Sequence, residues 1–413
     1  MSKSFPEKGT PWEDLKSQMQ TMATDDIDWR HGRNGYNVFY AGDDVLKVVK
    51  EAYGMFMSEN GLNQGAFPSL KTMEDEVVEM ALDLFKAPDG AAGSMSSGGT
   101  ESILLAVKAC RDRAAEIGKD ISKANIVIPY SGHPAFNKAA HYLGLEIIRT
   151  PIDDETRMPL LEPYEAAINE NTIMMVGSAP AFPSGVVEQI PEMSDMALKR
   201  DIWFHVDACV GGYFAPFAER CGVELTPYNF TNPGVTSMSA DLHKFGYAAK
   251  GASTVLYRTK EHMLFQRTDF NCWPSGRMVT PTFAGTRPGG GIAAAWAVMN
   301  YLGQEGYTAK AKVILETRAK MQAGLKRMGF EIYGPSKLMI INFGLKDVDF
   351  FSLWGAMNSR GWWPGATAEP AALHMMLTPA HEAAMDDFLS DLEAAVAEAR
   401  AGKAKATEEV RYS

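Results

Sequence analysis

The sequence predicts an α/β protein: a large domain built on a mostly parallel sheet, then a smaller C-terminal α+β domain. Three observations carry this. Short apolar runs alternate with amphipathic helical stretches between about residues 100 and 260. Those runs are apolar at consecutive positions, as in Ile126-Val127-Ile128, which marks strands buried on both faces. With 413 residues the chain is long enough for one large and one small domain, and for a core that needs no staples.

Residues 1–43 carry Gly32, Gly35 and Gly42 without periodicity and read as an extended arm. Asp44–Glu59 sets Val45, Val48, Val49 and Tyr53 on one helical face. Ser69–Phe85 has a helical stripe of Met73, Val77, Met80 and Leu84. Thr100–Ile117 is helical up to a stop at Gly118. Strands follow at Asn125–Pro129, Leu145–Arg149, Thr172–Ser178 and Ile202–Asp207, separated by helices at Pro134–Tyr142, Glu162–Ile168 and Pro191–Lys199. Strands at Val235–Ser239 and Ser253–Tyr257 complete the set. Asn271–Gly291 is a Gly-, Pro-, Thr- and Ser-rich loop of a length usually kept for function.

Helix Ile292–Leu302 leads to Gly303–Gly306, the expected domain boundary. The remainder reads as helix Thr308–Lys326, strand Met339–Phe343, helix Asp349–Ser359, strand Leu373–Leu377 and a final helix. That helix has Thr378 as N-cap, Pro379 at N1 and a stripe of Met385, Leu389, Leu392 and Val396. The expected division is an N-terminal arm and helix (1–65), a large domain (66–305) and a small domain (306–413), with a frayed tail after Ala401.

The net charge is −11, from 40 basic and 51 acidic residues. Such a chain lacks the basic footprint that nonspecific nucleic-acid binding needs. Cys110, Cys209, Cys221 and Cys272 form no CxxC and no zinc spacing, so free thiols in a reducing cytoplasm are expected. The longest apolar stretch, near Ile292–Leu302, falls far short of the roughly 18 residues of a membrane span. Residues 1–21 show no signal-peptide core. A soluble cytoplasmic protein without a metal site is the expectation.

Four stretches carry chemistry. Ser97-Gly98-Gly99-Thr100-Glu101-Ser102 opens a helix, where glycines allow close approach and free N–H groups suit a phosphate. An ordinary helix cap has the same sequence. Ser131-Gly132-His133-Pro134 follows a strand, and a His there stacks on a planar ring, shuttles a proton or serves structure alone. His205-Val206-Asp207-Ala208 ends an apolar strand, where open α/β sheets bind ligands. A carboxylate there needs a cation or hydrogen bonds, which a protonated heterocycle or a helix cap would both supply. Ser239-Ala240-Asp241-Leu242-His243-Lys244-Phe245-Gly246 sets Lys244 among apolar neighbours that lower a lysine pKa and make a nucleophile of it. Lys250, six residues on, adds a second cation that lowers it further or binds an anion. Either lysine could equally be a solvated side chain.

The order of these features is a Gly-rich phosphate loop, a His, a strand Asp, then a His-Lys pair whose Lys stands 37 residues after that Asp (244 − 207). That set resembles the fold-type I enzymes that use pyridoxal 5′-phosphate (PLP), specifically the group II decarboxylase superfamily. Four runs are similar to its sphingosine-1-phosphate lyase branch: Ser97–Leu104, His205–Gly212, Ser237–Gly251 and Pro281–Gly290. The resemblance extends from about Tyr40 to the final helix. It implies the fold-type I architecture, PLP as cofactor, a homodimer with shared active sites and a lipid-like amine substrate.

Residue by residue, the resemblance implies that Lys244 holds PLP covalently, Asp207 pairs with the pyridinium nitrogen and His133 stacks on the ring. Gly99, Thr100 and His243 would cradle the cofactor phosphate, with Gly285 and Thr286 reaching it from the partner subunit. Tyr40 is implied near the reacting centre and Asn60 at the substrate phosphate; Lys250, Tyr40 and His243 are the implied proton carriers. Asn63 belongs to the same substrate pocket but stands where the family usually has histidine, and Leu242 stands where threonine is common. The implied reaction cleaves a phosphorylated long-chain base to an aldehyde and phosphoethanolamine. An amino-acid decarboxylase uses the same cofactor set, and the Asn63 departure favours it. A non-catalytic scaffold has no need of Lys244, Asp207 and His133 together. A nucleotide-binding Rossmann fold would show GxGxxG after the first strand, and none is there.

Overall fold

In the computed structural model, which describes residues 4–402, the apolar runs form a seven-stranded sheet. Its strands are β1 (Ala92–Ser96), β2 (Asn125–Pro129), β3 (Glu146–Thr150), β4 (Thr172–Ser178), β5 (Trp203–Asp207), β6 (Val235–Ala240) and β7 (Ser253–Tyr257). They lie in the order β1-β7-β6-β5-β4-β2-β3. The pairs from β3 through β2, β4 and β5 to β6 are parallel, and β7 runs antiparallel to both its neighbours. Parallel pairing demands crossovers, and helices supply them. Every residue of β2, β4, β5 and β7 is buried.

Successive side chains point to opposite faces of the sheet. Along β2, Val127 joins one core while Ile126 and Ile128 join another. Helices Gly99–Glu116 and Ala135–Leu143 close the second core with Ile103, Leu105 and Phe136. Helices Pro68–Leu84, Ile190–Lys199 and Ala215–Arg220 close the first with Val77, Met193 and Phe217. Beyond Arg327 a smaller antiparallel sheet takes the strand order Glu331–Ile332, Ile340–Gly344, Ala371–Met376, Gly365–Ala368.

Several expectations need correction. β1 escaped notice because its residues are small: a Cβ on Gly93 would lie 2.5 Å from Leu256 Cδ2 and 2.8 Å from the Val255 carbonyl. The N-terminal arm is not extended throughout; it contains the helix Trp12–Met22 and two short 3₁₀ turns. The helix expected over Asp44–Glu59 runs instead over Asp43–Met55. At the expected boundary the helical span Gly289–Arg327 is interrupted: Gly303 takes the non-helical φ 52° and ψ −173°, so two helical arms meet there at a kink. The long loop before it holds a short hairpin, Thr268–Phe270 with Met278–Thr280.

Thr378 does not cap the last helix, which runs His381–Arg400. Ala380 takes the N-cap position without a side-chain cap, and the buried His381 ring accepts the Thr378 N–H on Nδ1 at 2.9 Å. The expected tail lies almost wholly outside the described residues. Among the described residues all four cysteines are free, and no helix is long and apolar enough to cross a membrane.

Two long-range ties bring distant segments to the sheet edge. The arm pairs with the small sheet: the Gly35 N–H donates to the Trp363 carbonyl (2.8 Å) and the Met376 N–H to the Gly35 carbonyl (2.7 Å). Arg287 makes a buried bidentate pair with Glu74 (2.5 and 2.9 Å) and donates to the Gly61 carbonyl, locking the 285–288 loop onto helix Pro68–Leu84. Removing one partner of such a pair strands the other charge. Glu74→Gln should therefore cost about 3–5 kcal/mol of stability in urea melts, and the joint Glu74→Leu/Arg287→Met change should cost less. A loss under 1 kcal/mol for Glu74→Gln would show that the pair is not a tie.

Candidate active site

The carboxyl ends of β1, β2, β4, β5 and β6 converge on a cavity of about 330 Å³, within the range of ligand pockets. Gly98, Gly99, Thr100, His133, Asp207, His243 and Lys244 all line it. Four motifs spread over nearly 150 residues of sequence thus meet at one edge, because parallel strands end on the same side and their loops turn inward there.

The glycine loop is shaped by close approach. A Cβ on Gly99 would lie 2.7 Å from Asp241 Oδ2 and 2.9 Å from Cys209 Sγ. Gly98 adopts φ 156° and caps the helix with no side chain, so the first-turn N–H groups have no side-chain cap. Glu101 reaches back to accept the Ser97 N–H (2.6 Å) and takes the Phe283 and Ala284 N–H groups with its other oxygen (2.8 and 3.3 Å). Beneath the loop runs a chain of hydroxyls: Ser96 to Ser102 (2.7 Å), Ser102 to Ser253 (2.8 Å) and Ser253 to Asp241 Oδ1 (2.6 Å).

Asp241 is buried in the site beside Asp207, with Lys244 Nζ at 2.9 Å and His243 Nε2 at 3.6 Å from its Oδ2. Burial pushes its carboxyl up, but the charges of Lys244 and His243 and the Ser253 hydrogen bond outweigh that and hold it below the ordinary range. His243 accepts the Ala252 N–H on Nδ1 (3.3 Å). Burial pulls it down to about 4, so it is neutral at pH 7, with its remaining proton on Nε2. His133 likewise accepts the Ala135 N–H on Nδ1 (3.1 Å), and burial, with Lys244 nearby, lowers its pKa. Asp207 Oδ1 accepts the Cys209 N–H at 3.0 Å, a hydrogen bond that sets the carboxylate at the strand end.

Not every expected residue lines this cavity. Tyr40 and Lys250 line an adjoining one, which meets the first at His243. Tyr40 is raised by burial and by its hydrogen bond to Asp43. Lys250 is exposed as a residue, yet its amine donates to the Asn37 carbonyl (2.9 Å) and lies 4.7 Å from the Phe39 ring centroid. Burial of that amine, with the Lys244 charge, pulls it down to about 8. Asn60, Gly285 and Thr286 sit together elsewhere: Asn60 Oδ1 accepts the Leu62 and Arg287 N–H groups (2.8 and 3.3 Å), and Nδ2 lies 3.4 Å from Thr286 Oγ1. Asn63 is exposed, and Leu242 is buried in the core.

Three residues of the site went unread in the sequence. Asp241 stood three positions before Lys244, a spacing that brings side chains together in a turn. Glu101 followed the glycines at the offset of a reach-back cap. Glu188 gave no signal: it is fully buried, accepting Ser131 Oγ (2.6 Å) and the Ser178 N–H (2.7 Å). Burial raises it from 4.5 to about 7. A raised carboxyl pKa means the folded state binds more protons than the unfolded one between those values, so stability falls as pH rises from about 4.5 to 7. Glu188→Gln should remove about 3 kcal/mol of that decline, read as the difference between urea melts at the two ends of the window. An unchanged slope would contradict the raised pKa.

The lining fits PLP. Uncapped helix N–H groups and a neutral imidazole N–H suit a phosphate, Lys244 supplies an amine, and Asp207 supplies a carboxylate at a strand end. A family model described as the pyridoxal-dependent decarboxylase conserved domain matches residues 1–346. The chain is 39% identical over 401 residues to sphingosine-1-phosphate lyase of Arabidopsis thaliana, covering 95% of this chain and 73% of the relative. It is 37% identical to the Drosophila melanogaster lyase, covering 96% and 73%. The solved sphingosine-1-phosphate lyase of Burkholderia pseudomallei superposes with a TM-score of 0.93 at 36% identity, over 97% of this chain and 94% of that one. Glutamate decarboxylase of Lactobacillus brevis superposes with 0.84 at 18% identity, over 97% and 95%, a likeness of fold. The chain belongs to the pyridoxal-dependent decarboxylase family and, within it, to the sphingosine-1-phosphate lyases.

Proposed function

We propose that this protein is a PLP-dependent carbon–carbon lyase that splits phosphorylated long-chain bases into a long-chain aldehyde and phosphoethanolamine. The relatives carry this over decarboxylation: the lyases match at 36–39% identity over most of the chain, whereas the glutamate decarboxylase that superposes on it is 18% identical.

In this reading Lys244 holds the cofactor covalently, and Gly99, Thr100 and His243 hold its phosphate. Asp207 faces its ring nitrogen and His133 its ring. Bound there, PLP supplies an electron sink for the pair left when a bond at the amine-bearing carbon breaks. The chain's own part is to choose the bond and move the protons. Lys250, with its pKa near neutrality, takes the C3 hydroxyl proton as the C2–C3 bond breaks. Tyr40, lining the same adjoining cavity, helps to hold the head group.

The same reading makes the protein a cytoplasmic homodimer whose partner brings Gly285 and Thr286 to the cofactor phosphate. Its support is that neither residue lines the cavity of its own chain, and that Phe283 beside them is 75% exposed. Asn60, bonded to that loop, would enter the partner's site with it and meet the substrate phosphate, with Asn63 at the rim. The division into 1–65, 66–305 and 306–413 belongs to this proposal as well.

PLP-loaded protein mixed with sphingosine-1-phosphate should release long-chain aldehyde, and Lys244→Ala should abolish both turnover and the visible absorption of bound cofactor. Turnover by Lys244→Ala would overturn the reading. The kcat/KM profile should rise through about pH 8, as expected for a base that must lose its proton. Lys250→Met should remove that limb and lower kcat/KM by about 10²–10⁴; a limb that persists assigns the proton to another group.

A further inference from the structure

A groove of about 420 Å³ leaves the cavity at its ring end, sharing His133 and Phe182 with it. Its apolar walls include Ile152, Pro183, Ala366 and Ala368, and its polar ones Arg149 and the hydrogen-bonded pair of Tyr130 with Glu369 (3.1 Å). Ala366 and Ala368 lie two apart on strand Gly365–Ala368 and share a face. Thr367 between them turns away, its hydroxyl bonded to Asn342 (2.9 Å) and to the Pro370 carbonyl (2.7 Å). Phe182 is held in place: His374 Nε2 lies 2.9 Å from its carbonyl, and the two rings stand 4.7 Å apart at 34°. Burial pulls His374 down to about 4, so it brings no charge, and Arg149 at the rim is spent on carbonyls. The groove therefore offers mainly apolar surface, from loops of the large sheet and from strand Gly365–Ala368 of the small one.

The second neighbour of the cavity, about 490 Å³, meets it at a different residue, His243. A Cβ on Gly98 would lie 3.2 Å from that ring. This neighbour carries Lys250 and Lys50. Both extensions have largely apolar walls, and they differ in their charges: the second carries two lysine amines that suit an anionic head group, while in the first the Arg149 guanidinium is spent on carbonyls.

We infer that the groove between Phe182 and the Ala366–Ala368 strand binds the hydrocarbon chain of the substrate and sets its chain-length selectivity. This rests on the lyase reading. Apolar area leaves water when the chain enters, and that gain is available only to substrates long enough to reach the groove.

The test compares kcat/KM for sphingosine-1-phosphate with that for a short-chain analogue of the same head group, using PLP-loaded protein. Ala368 is exposed, so Ala368→Trp fills the groove without disturbing the core. It should lower the long-to-short ratio about tenfold or more and leave cofactor absorption and short-chain turnover unchanged. Ala366→Leu, a smaller insertion, should lower the ratio in the same direction and covers a folding failure of the tryptophan variant. Leu46→Trp, in the other extension, should leave the ratio alone. A ratio unchanged in both alanine variants, a ratio lowered by Leu46→Trp instead, or a wild-type ratio near one would overturn the assignment. Aldehyde from neither substrate with wild-type protein would sink the lyase reading itself, so the two failures are distinct.

Discussion

The lysine and the glycine loop at the carboxyl edge of the sheet are arranged around the buried carboxylate of Asp241. Asp241 is 2% exposed, and an acid so placed is tolerated only when paired and hydrogen-bonded. Lys244 supplies the pairing charge, and Ser253 Oγ supplies a hydrogen bond. Through Ser253 the acid is tied by hydroxyls to Ser102 and Ser96, and so to the glycine loop. The lysine and the glycine loop are therefore positioned by one connected network. Gly99 is required by the same acid, since any side chain there would collide with it.

A second consequence of burial is that the site holds neutral imidazoles beside its charges. His133 and His243 each accept a backbone N–H on Nδ1, and both are pulled down by desolvation. His205, on β5 below them, is bonded to Ser237 and Ser239 and is lowered to about 4 by the same cause. The cationic capacity of the region is left to Lys244 and Lys250, one matched by Asp241 and the other poised near neutral pH. A site built this way can attract an anionic head group and still exchange protons at neutral pH.

Much of this was legible in the sequence because it depends on local chemistry. Strands buried on both faces announce themselves by consecutive apolar residues, and β2, β4 and β7 fall on the expected residues. The glycines, His133, Asp207 and the His243–Lys244 pair each sit where a strand ends, and the topology brings them together. What stayed hidden depends on contacts between distant segments. β1 has small residues because β7 and helix Pro68–Leu84 crowd it. Glu188 is defined by the loops it joins, not by its neighbours in sequence. Asn60 and Thr286 stand 226 residues apart and meet through side chains.

The central claim is that this cavity breaks a carbon–carbon bond of a phosphorylated long-chain base and not the bond to a carboxylate. One competition measures it directly. PLP-loaded protein is given ¹³C-labelled sphingosine-1-phosphate together with carboxyl-¹³C-labelled glutamate and tyrosine in a single tube, followed by NMR. The account predicts label in the aldehyde and none in carbon dioxide. Labelled carbon dioxide as the main product would contradict it.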